Sequence, residues 1–518
     1  MTSENMKSGK ILRSIAAVFA ITILLLCFRV PAYAISQNEA DASEALTLNA
    51  ASTGCLTDTE TEKWYRFDIS APGRFRIRLN ANASADTQAV KEGWHIYLYK
   101  KGDLGESFAD LGGIKTDTFT GWFGYVPDTF YVRVTSSSTR TNYMPVDCPF
   151  DITVVYEATN EWEKEINDTN ALANPITPNA VYRGNHKDGA DKDWYYFSIA
   201  EKGYFSVSFG PDPADCDTSL IKNGWNITVY EPDAMTELVS KTVTGAYTST
   251  AFPMAPGNYF IKIESASTSA AYSPLLQVYD LKVNAVAGID WEMEHNDTQT
   301  SANELNSGAL TNGNLHVGGD QDWYSITTSG TGILQLSFEK GADANTDDIK
   351  NGWKISVVEA KSSEVIYESE KVLVSQSAQV DVDKGTYYIH IESFDAAKAY
   401  QPTGCRYMLR ANFKAGENTR TKIKGSTVKW KKAKASGRTS VLKWKKIALA
   451  DGYEIYRSVK KKKGYSKCAE TKGAASITYK DNRLKDGKYY YKVRAYKTIQ
   501  GKKVYSKYSA IKLVTIKG

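Results

Sequence analysis

The sequence is poor in the groups that most enzymes use for chemistry. It has five histidines, His95, His186, His295, His316 and His390, and none stands in a His-Glu-x-x-His pattern. No Gly-x-Ser-x-Gly elbow and no Cys-x-x-Cys pair occurs, so no enzyme is expected. His186 and His316 lie near Asp-rich stretches and are expected at the surface. Cysteine is scarce too, with six in 518 residues. Setting aside Cys27 leaves Cys55, Cys148, Cys216, Cys405 and Cys468, an odd number that rules out complete pairing within the chain and excludes a disulfide-dense scaffold. Long amphipathic helical patterns are missing. So are apolar runs able to cross a bilayer: the longest, Ile15 to Phe28, has 14 residues against the roughly 18–20 a spanning helix needs.

That short run has another reading. Lys7, Lys10 and Arg13 precede it and Ala32-Tyr33-Ala34 follows it, the pattern of an export signal cleaved near Ile35. Residues 1–34 are therefore expected to be removed, and the mature chain to be secreted without a transmembrane anchor. Cys27 follows Leu-Leu-Leu, where a lipidation site would want small residues, and is discounted.

The formal net charge of +5 hides a division. Residues 421–518 carry 29 Lys+Arg against 5 Asp+Glu, a net of +24, while residues 35–420 carry about −22. Such asymmetry speaks to partners and solubility rather than to fold. A chain of this length exceeds one hydrophobic core and implies several domains.

Self-comparison shows how they are arranged. Trp64-Tyr65, Trp194-Tyr195 and Trp323-Tyr324 recur at steps of 130 and 129 residues. Each is followed by Gly93-Trp94, Gly224-Trp225 or Gly352-Trp353, and then by Phe130-Tyr131, Tyr259-Phe260 or Tyr387-Tyr388. Tyr143, Tyr272 and Tyr400 close the series, each 13 residues beyond the first aromatic of the preceding block. Between landmarks the residues alternate at period 2, as in Tyr204-Phe205-Ser206-Val207-Ser208-Phe209, the mark of half-buried antiparallel strands. The expected fold is all-β: tandem sandwich, jelly-roll-like modules at 35–156, 157–286 and 287–415, a linker at 416–421, and a further sandwich at 422–518. Trp94, Trp225 and Trp353, at fixed strand positions after a Gly turn, are read as core residues rather than ligand platforms.

At these residues the chain resembles the bacterial pre-peptidase C-terminal domain family, β-sandwich modules that include the collagen-binding domains of clostridial collagenases. The matching pattern in the second copy is Glu163-Lys164-Glu165-Ile166-Asn167-Asp168-Thr169, Gly184, Asp191-Lys192-Asp193-Trp194-Tyr195 and Gly257-Asn258-Tyr259-Phe260. In the third it is Glu292-Met293-Glu294-His295-Asn296-Asp297-Thr298, Gly313, Asp320-Gln321-Asp322-Trp323-Tyr324 and Gly385-Thr386-Tyr387-Tyr388. The likeness covers about residues 36–415 and is eroded in the first copy.

The acidic segment also has a meaning of its own. Alternate side chains of an extended chain share a face, so Glu163, Glu165 and Asn167 project together, with Asp168 at the turn and Asp191 and Asp193 repeating the spacing. Carboxylates converging without a basic partner would repel one another. A hard cation resolves this, and Ca²⁺ takes about 6–8 oxygen ligands of this kind. The resemblance implies the same use. Calcium is thus expected on Glu163, Glu165, Asn167, Asp168, Asp191 and Asp193, and on Glu292, Glu294, Asn296, Asp297, Asp320 and Asp322. The plainer alternative is a solvated acidic linker whose Asp-Thr pairs cap a short turn. In the first copy Thr61 and Lys63 replace the aspartates and no site is expected. Cys55 and Cys148 flank that copy's first and last strands, which often neighbour each other in sandwiches, and are the preferred disulfide.

Residues 422–517 contain Val441-Leu442-Lys443-Trp444, Gly452-Tyr453-Glu454-Ile455-Tyr456 and Tyr489-Tyr490-Tyr491-Lys492-Val493. This stretch resembles the Lys-rich fibronectin type III modules of Gram-positive surface proteins, with Trp444 as a core Trp. Leu484 to Tyr489 resembles that family's tyrosine corner, one residue short of its usual spacing. No Arg-Gly-Asp occurs, so integrin recognition has no support. Lys460, Lys461, Lys462 and Lys463 form a basic run. It serves either solubility and edge protection or adhesion to a polyanion, for which cell-wall polymers are favoured over nucleic acid. The functional expectation is a non-catalytic secreted or cell-surface adhesion protein, contacting a matrix or glycan ligand through the acidic array and the wall through the basic module. The alternatives are a spacer with no specific ligand, or less plausibly a secreted hydrolase.

Overall fold

The computed structural model describes residues 35–517 apart from 86–89, 270, 289, 343–348, 396–401 and 500. The export signal, Cys27 and Tyr400 lie outside the described residues. Apart from two short helices, Gln37–Asp41 and Thr419–Gly425, and single 3-10 turns, the described elements are strands, and their pairing falls into four successive blocks of two sheets each.

The second block shows the plan. One sheet runs Asn174–Pro175, Lys192–Ile199, Gly257–Ser265, Trp225–Tyr230, Glu237–Val243. The other runs Val181–Gly184, Tyr279–Ala287, Gly203–Pro211, Tyr247–Thr248, with Phe252–Met254 also on Gly203–Pro211. The first and third blocks repeat this order, and the central pairing keeps its register: Gly73 faces Ala158, Gly203 faces Ala287 and Gly332 faces Ala415. Gly73–Ala81, Gly203–Pro211 and Gly332–Lys340 each alternate buried and half-buried residues along most of their length, as the period-2 pattern requires. Their inward residues meet Trp94, Trp225 and Trp353, all fully buried, so these tryptophans are core residues. Trp64 and Trp194 lie on the outer face instead, against Tyr99 and Tyr230 with ring centroids 5.0 and 5.2 Å apart.

One edge differs among the copies in a way that matters for the site. In the third block the strand beside Gly332–Lys340 is continuous, Ser375–Val382. In the first two it is broken, and the hydroxyls of Thr120 and Ser249 accept ladder bonds from Ile77 and Val207 N–H at 2.9 Å. The broken edge receives the next copy. Glu165 N–H donates to Gly124 O at 2.9 Å, and the Asn185 and Asn314 amides donate to Trp122 O (2.9 Å) and Ala251 O (2.7 Å). Trp122, Trp162 and Val278 form a small apolar cluster at the first of these junctions.

In the last block Trp430–Ser436, Thr439–Trp444 and Thr478–Asp481 face a sheet of Ser466–Lys472, Gly452–Ser458, Gly487–Ile499 and Lys502–Tyr505, with Lys512–Ile516 also on the long strand. Trp444 is fully buried, and Tyr489 donates to Lys485 O at 2.9 Å, a tyrosine-corner bond. Among the described residues no helix is long and apolar enough to cross a membrane.

Candidate metal centres

The Glu-x-Glu-x-Asn segments lead into their blocks, each with a cis peptide bond after its second glutamate, and turn alternate side chains inward. Glu163, Glu165 and Asn167 are buried while Ile166 points out, and Glu292 and Asn296 are buried while Met293 points out. Each segment is pinned by the same bonds. Lys164 and Met293 N–H donate to Asn174 and Asn303 Oδ1 at 2.6 Å, and the two asparagine amides return to Lys164 and Met293 O. Backbone N–H groups of Asn185 and Asn314 donate to Glu163 Oε1 (2.7 Å) and Glu292 Oε1 (2.6 Å).

The other glutamate oxygen meets a buried tyrosine pair that sequence reasoning had not singled out. Tyr195 and Tyr279 hydroxyls lie 2.7 Å apart, and Tyr279 reaches Asp193 Oδ2 at 2.5 Å and Glu163 Oε2 at 3.3 Å. Tyr324 and Tyr407, also 2.7 Å apart, bind Glu292 and Asp322 in the same way. This crowding explains the glycine of the motif. A Cβ on Gly184 would sit 2.5 Å from both Glu163 Oε2 and the Tyr279 hydroxyl, and one on Gly313 would sit 2.6 Å from Glu292 Oε2 and the Tyr407 hydroxyl.

The expectation of carboxylates without a basic partner is corrected. Lys187 Nζ lies between Glu165 Oε1 (3.0 Å) and Asp191 Oδ1 (2.9 Å). At the same place in the third block His316 Nδ1 lies 3.0 Å from Glu294 Oε1 and 2.8 Å from Asp320 Oδ2. The expectation that His186 and His316 are surface residues also fails: both are buried, and His186 Nε2 lies 3.3 Å from Asp193 Oδ2. Four carboxylates so deep need counter-charge, and the fold draws in whatever base stands nearby. The signal was present as a basic residue three positions after Gly184 and Gly313, visible once the copies are superposed on those glycines. Asp168 is half-buried and Asp297 exposed, at the rim of the clusters rather than inside them.

The bases do not neutralise the clusters. Burial, and then the charges of Asp193, Glu165 and Asp191, hold Glu163 well above the usual carboxylate range. Burial and Asp191 push Glu165 up to about 8 despite Lys187. Burial and Glu294 raise Glu292, and burial and Glu292 raise Asp322, both well above the usual range. Burial disfavours the charged imidazole of His316, but the bonds from Asp320 and Glu294 outweigh it and carry the group up to about 11. Several buried oxygens find no hydrogen-bond partner among the described residues: Glu165 Oε2, Asn167 Oδ1 and Asp193 Oδ1 in one cluster, Asn296 Oδ1 and Asp322 Oδ1 in the other. Ligand oxygens of Glu165, Asp168 and Asp191, and of Glu292, Glu294 and Asp322, fall within 4.8 Å of one another. An all-oxygen donor set with orphaned acceptors fits a hard cation.

The first block keeps the frame and changes the filling. Phe150 stands opposite Gly54 where Tyr279 stands opposite Gly184, and the Tyr65 hydroxyl is left without a partner among the described residues. Lys63, in the place of Asp193, pairs with Glu44 at 3.5 Å. The expected Cys55–Cys148 bridge is not formed. The two strands do pair as expected, Ala51–Gly54 with Phe150–Ala158, but Cys55 Sγ turns to Leu56 O at 3.3 Å and Cys148 packs into the core. The Lys460–Lys463 run is exposed on the turn after Gly452–Ser458.

No protein-family model matches this sequence, and no curated protein matches it. Solved structures similar to parts of it include the pre-peptidase C-terminal domain of a Bacillus anthracis collagenase. It is 18% identical over 22% of this chain and 94% of that one, with a TM-score of 0.17. A Fn3-like protein from Clostridium thermocellum is 27% identical over 18% of this chain and 91% of that one, with a TM-score of 0.15. A β-1,2-glucanase from Parabacteroides distasonis is 16% identical over 38% of this chain and 31% of that one, with a TM-score of 0.16.

Proposed function

We propose that the chain is a secreted, non-catalytic adhesion protein whose basic C-terminal block grips the anionic polymers of a cell wall. Its acidic sandwiches, ordered by calcium, face a matrix or glycan ligand. The observation that carries this reading is the division of charge. The last 98 residues hold a net +24, and Asp451, Glu454, Glu470 and Asp481 within them are already taken up by Lys497, Arg494, Lys467, Lys503 and Arg457. What remains is exposed lysine, including Lys460–Lys463, beside tyrosines that carry further cations. Lys492 lies 3.8 Å from the Tyr508 ring centroid and 4.7 Å from that of Tyr465. Such a surface binds polyanions by releasing their counterions. Calcium belongs to the second and third blocks, held by Glu163, Glu165, Asn167, Asp168, Asp191 and Asp193 and by their counterparts Glu292, Glu294, Asn296, Asp297, Asp320 and Asp322. There it supplies the positive charge that Lys187 and His316 provide only in part.

Pull-down by purified cell walls, with the full chain and with residues 421–518 removed, tests the wall reading across a salt series. Binding is expected to vanish with the basic block and to weaken steeply between low and high salt. Binding that survives either change rejects wall attachment through this block.

A further inference from the structure

The two junctions between successive copies share one backbone frame and differ in three side chains. Glu231 follows the strand Trp225–Tyr230 of the second block, His295 lies in the acidic segment that enters the third block, and His316 stands inside the third block. Their ligand atoms lie within 4.8 Å of one another. His295 Nε2 is 2.8 Å from Glu231 Oε2, and the two imidazole centroids are 6.1 Å apart. Together they border a cavity of about 240 Å³ that Pro253, Tyr259 and Glu294 also line. At the first junction the same three positions are Lys100, Ile166 and Lys187, which offer no neutral nitrogen or carboxylate.

We propose that Glu231, His295 and His316 form a second metal site, of different chemistry from the all-oxygen clusters. It takes zinc or a similar late first-row divalent ion, and it ties the second sandwich to the third. Two imidazoles and a carboxylate suit such ions, whereas calcium favours oxygen throughout. His316 is already oriented for the role. Its Nδ1–H faces Glu294 and Asp320, so Nε2 is the nitrogen left for a metal, which displaces the second proton of the imidazolium to solvent and leaves the carboxylate–histidine–metal arrangement that fixes tautomer and ring plane. Zinc bonds of about 2.0–2.1 Å set ligand atoms roughly 3.3 Å apart, so the three side chains close by at most about 1.5 Å on binding. The half-exposed His295 can make that movement by rotation. None of the twelve residues assigned to calcium is a ligand here, but Glu294 and Asp320 of the third block orient His316, so the calcium control is taken in the second block.

The test uses the full chain, stripped with chelator, and Co²⁺ and Zn²⁺ alone as probes. The unmodified chain should develop the visible absorption of four-coordinate Co²⁺ at one equivalent and bind Zn²⁺ by calorimetry. H295A and E231Q, both outside the cores, should each weaken binding at least tenfold and abolish the band while the far-ultraviolet circular dichroism stays unchanged. D191A should lose only the second block's share of the calcium response and leave the Co²⁺ band intact. Absence of a band and of zinc heat in the unmodified chain overturns the site, and so does unaltered binding in both variants.

Discussion

The first and second sandwiches solve the same packing problem with opposite chemistry. Both have the same strand order, the same register and a fully buried Trp at the same position. Beneath that Trp the second closes its end with Glu163, Glu165, Asp193, Tyr195 and Tyr279, while the first has Lys63, Tyr65 and Phe150 there and no Glu-x-Glu pair. The changes go together. Without Asp193 and Glu163 a tyrosine at 150 would bring in a second hydroxyl with no acceptor, and phenylalanine fills the place instead. The sandwich therefore does not need its carboxylates in order to fold. What they add is a cluster of buried charge that the strands tolerate and a cation would satisfy.

The comparison can be broken most forcefully through what the copies share. Trp94→Ala and Trp225→Ala should each cost about 3–5 kcal/mol in denaturant unfolding, with or without calcium, because both cavities open in equivalent cores. A large difference between the two would mean that the frames are not equivalent. Next comes the tyrosine pair. Tyr279→Phe imposes the first copy's residue on the second and strips Asp193 of a bond, at an expected cost of about 1–3 kcal/mol in chelator. Tyr65→Phe, which removes a hydroxyl that bonds to nothing described, should be neutral or slightly stabilising by the same measurement.

Smaller effects separate the two acidic copies. His186 adds a base to the second cluster, whereas Leu315 holds its place in the third. The third cluster is therefore poorer in counter-charge, and calorimetry should find calcium bound more tightly there, so that D320A removes the stronger of the two calorimetric phases and D191A the weaker. Smallest of all, alanine at any one of Lys460–Lys463 should leave the unfolding free energy within about 0.5 kcal/mol of the unmodified chain's, since these side chains are exposed. Wall binding at low salt should nevertheless weaken.

Much of this architecture was legible before any coordinates. The three-fold spacing of Trp-Tyr and Gly-Trp located the copies, and period-2 alternation located strands such as Gly203–Pro211 with their inward faces. The inward set of Glu163, Glu165 and Asn167 matches the alternation expected of an extended chain, although the peptide bond between Glu165 and Ile166 is cis. What escaped has no periodicity. Lys187 and His316 are single residues four positions before an aspartate, and only closure of the loop brings them between two carboxylates. The tyrosine pairs join strands 84 and 83 residues apart, and the Glu231–His295–His316 group joins two copies, so neither can be seen in a local window. The disulfide failed for the converse reason: strand pairing was foreseen correctly, but adjacency of strands does not fix where two sulfurs point.

The central claim is that the buried carboxylates of the second and third sandwiches are cation sites, and the melting temperature followed across a calcium titration tests it most directly. The unmodified chain should melt higher in calcium than in chelator, and the D191A/D320A double variant should show no such gain while remaining folded. An unmodified chain whose melting temperature ignores calcium, or a double variant that keeps the full gain, contradicts the account.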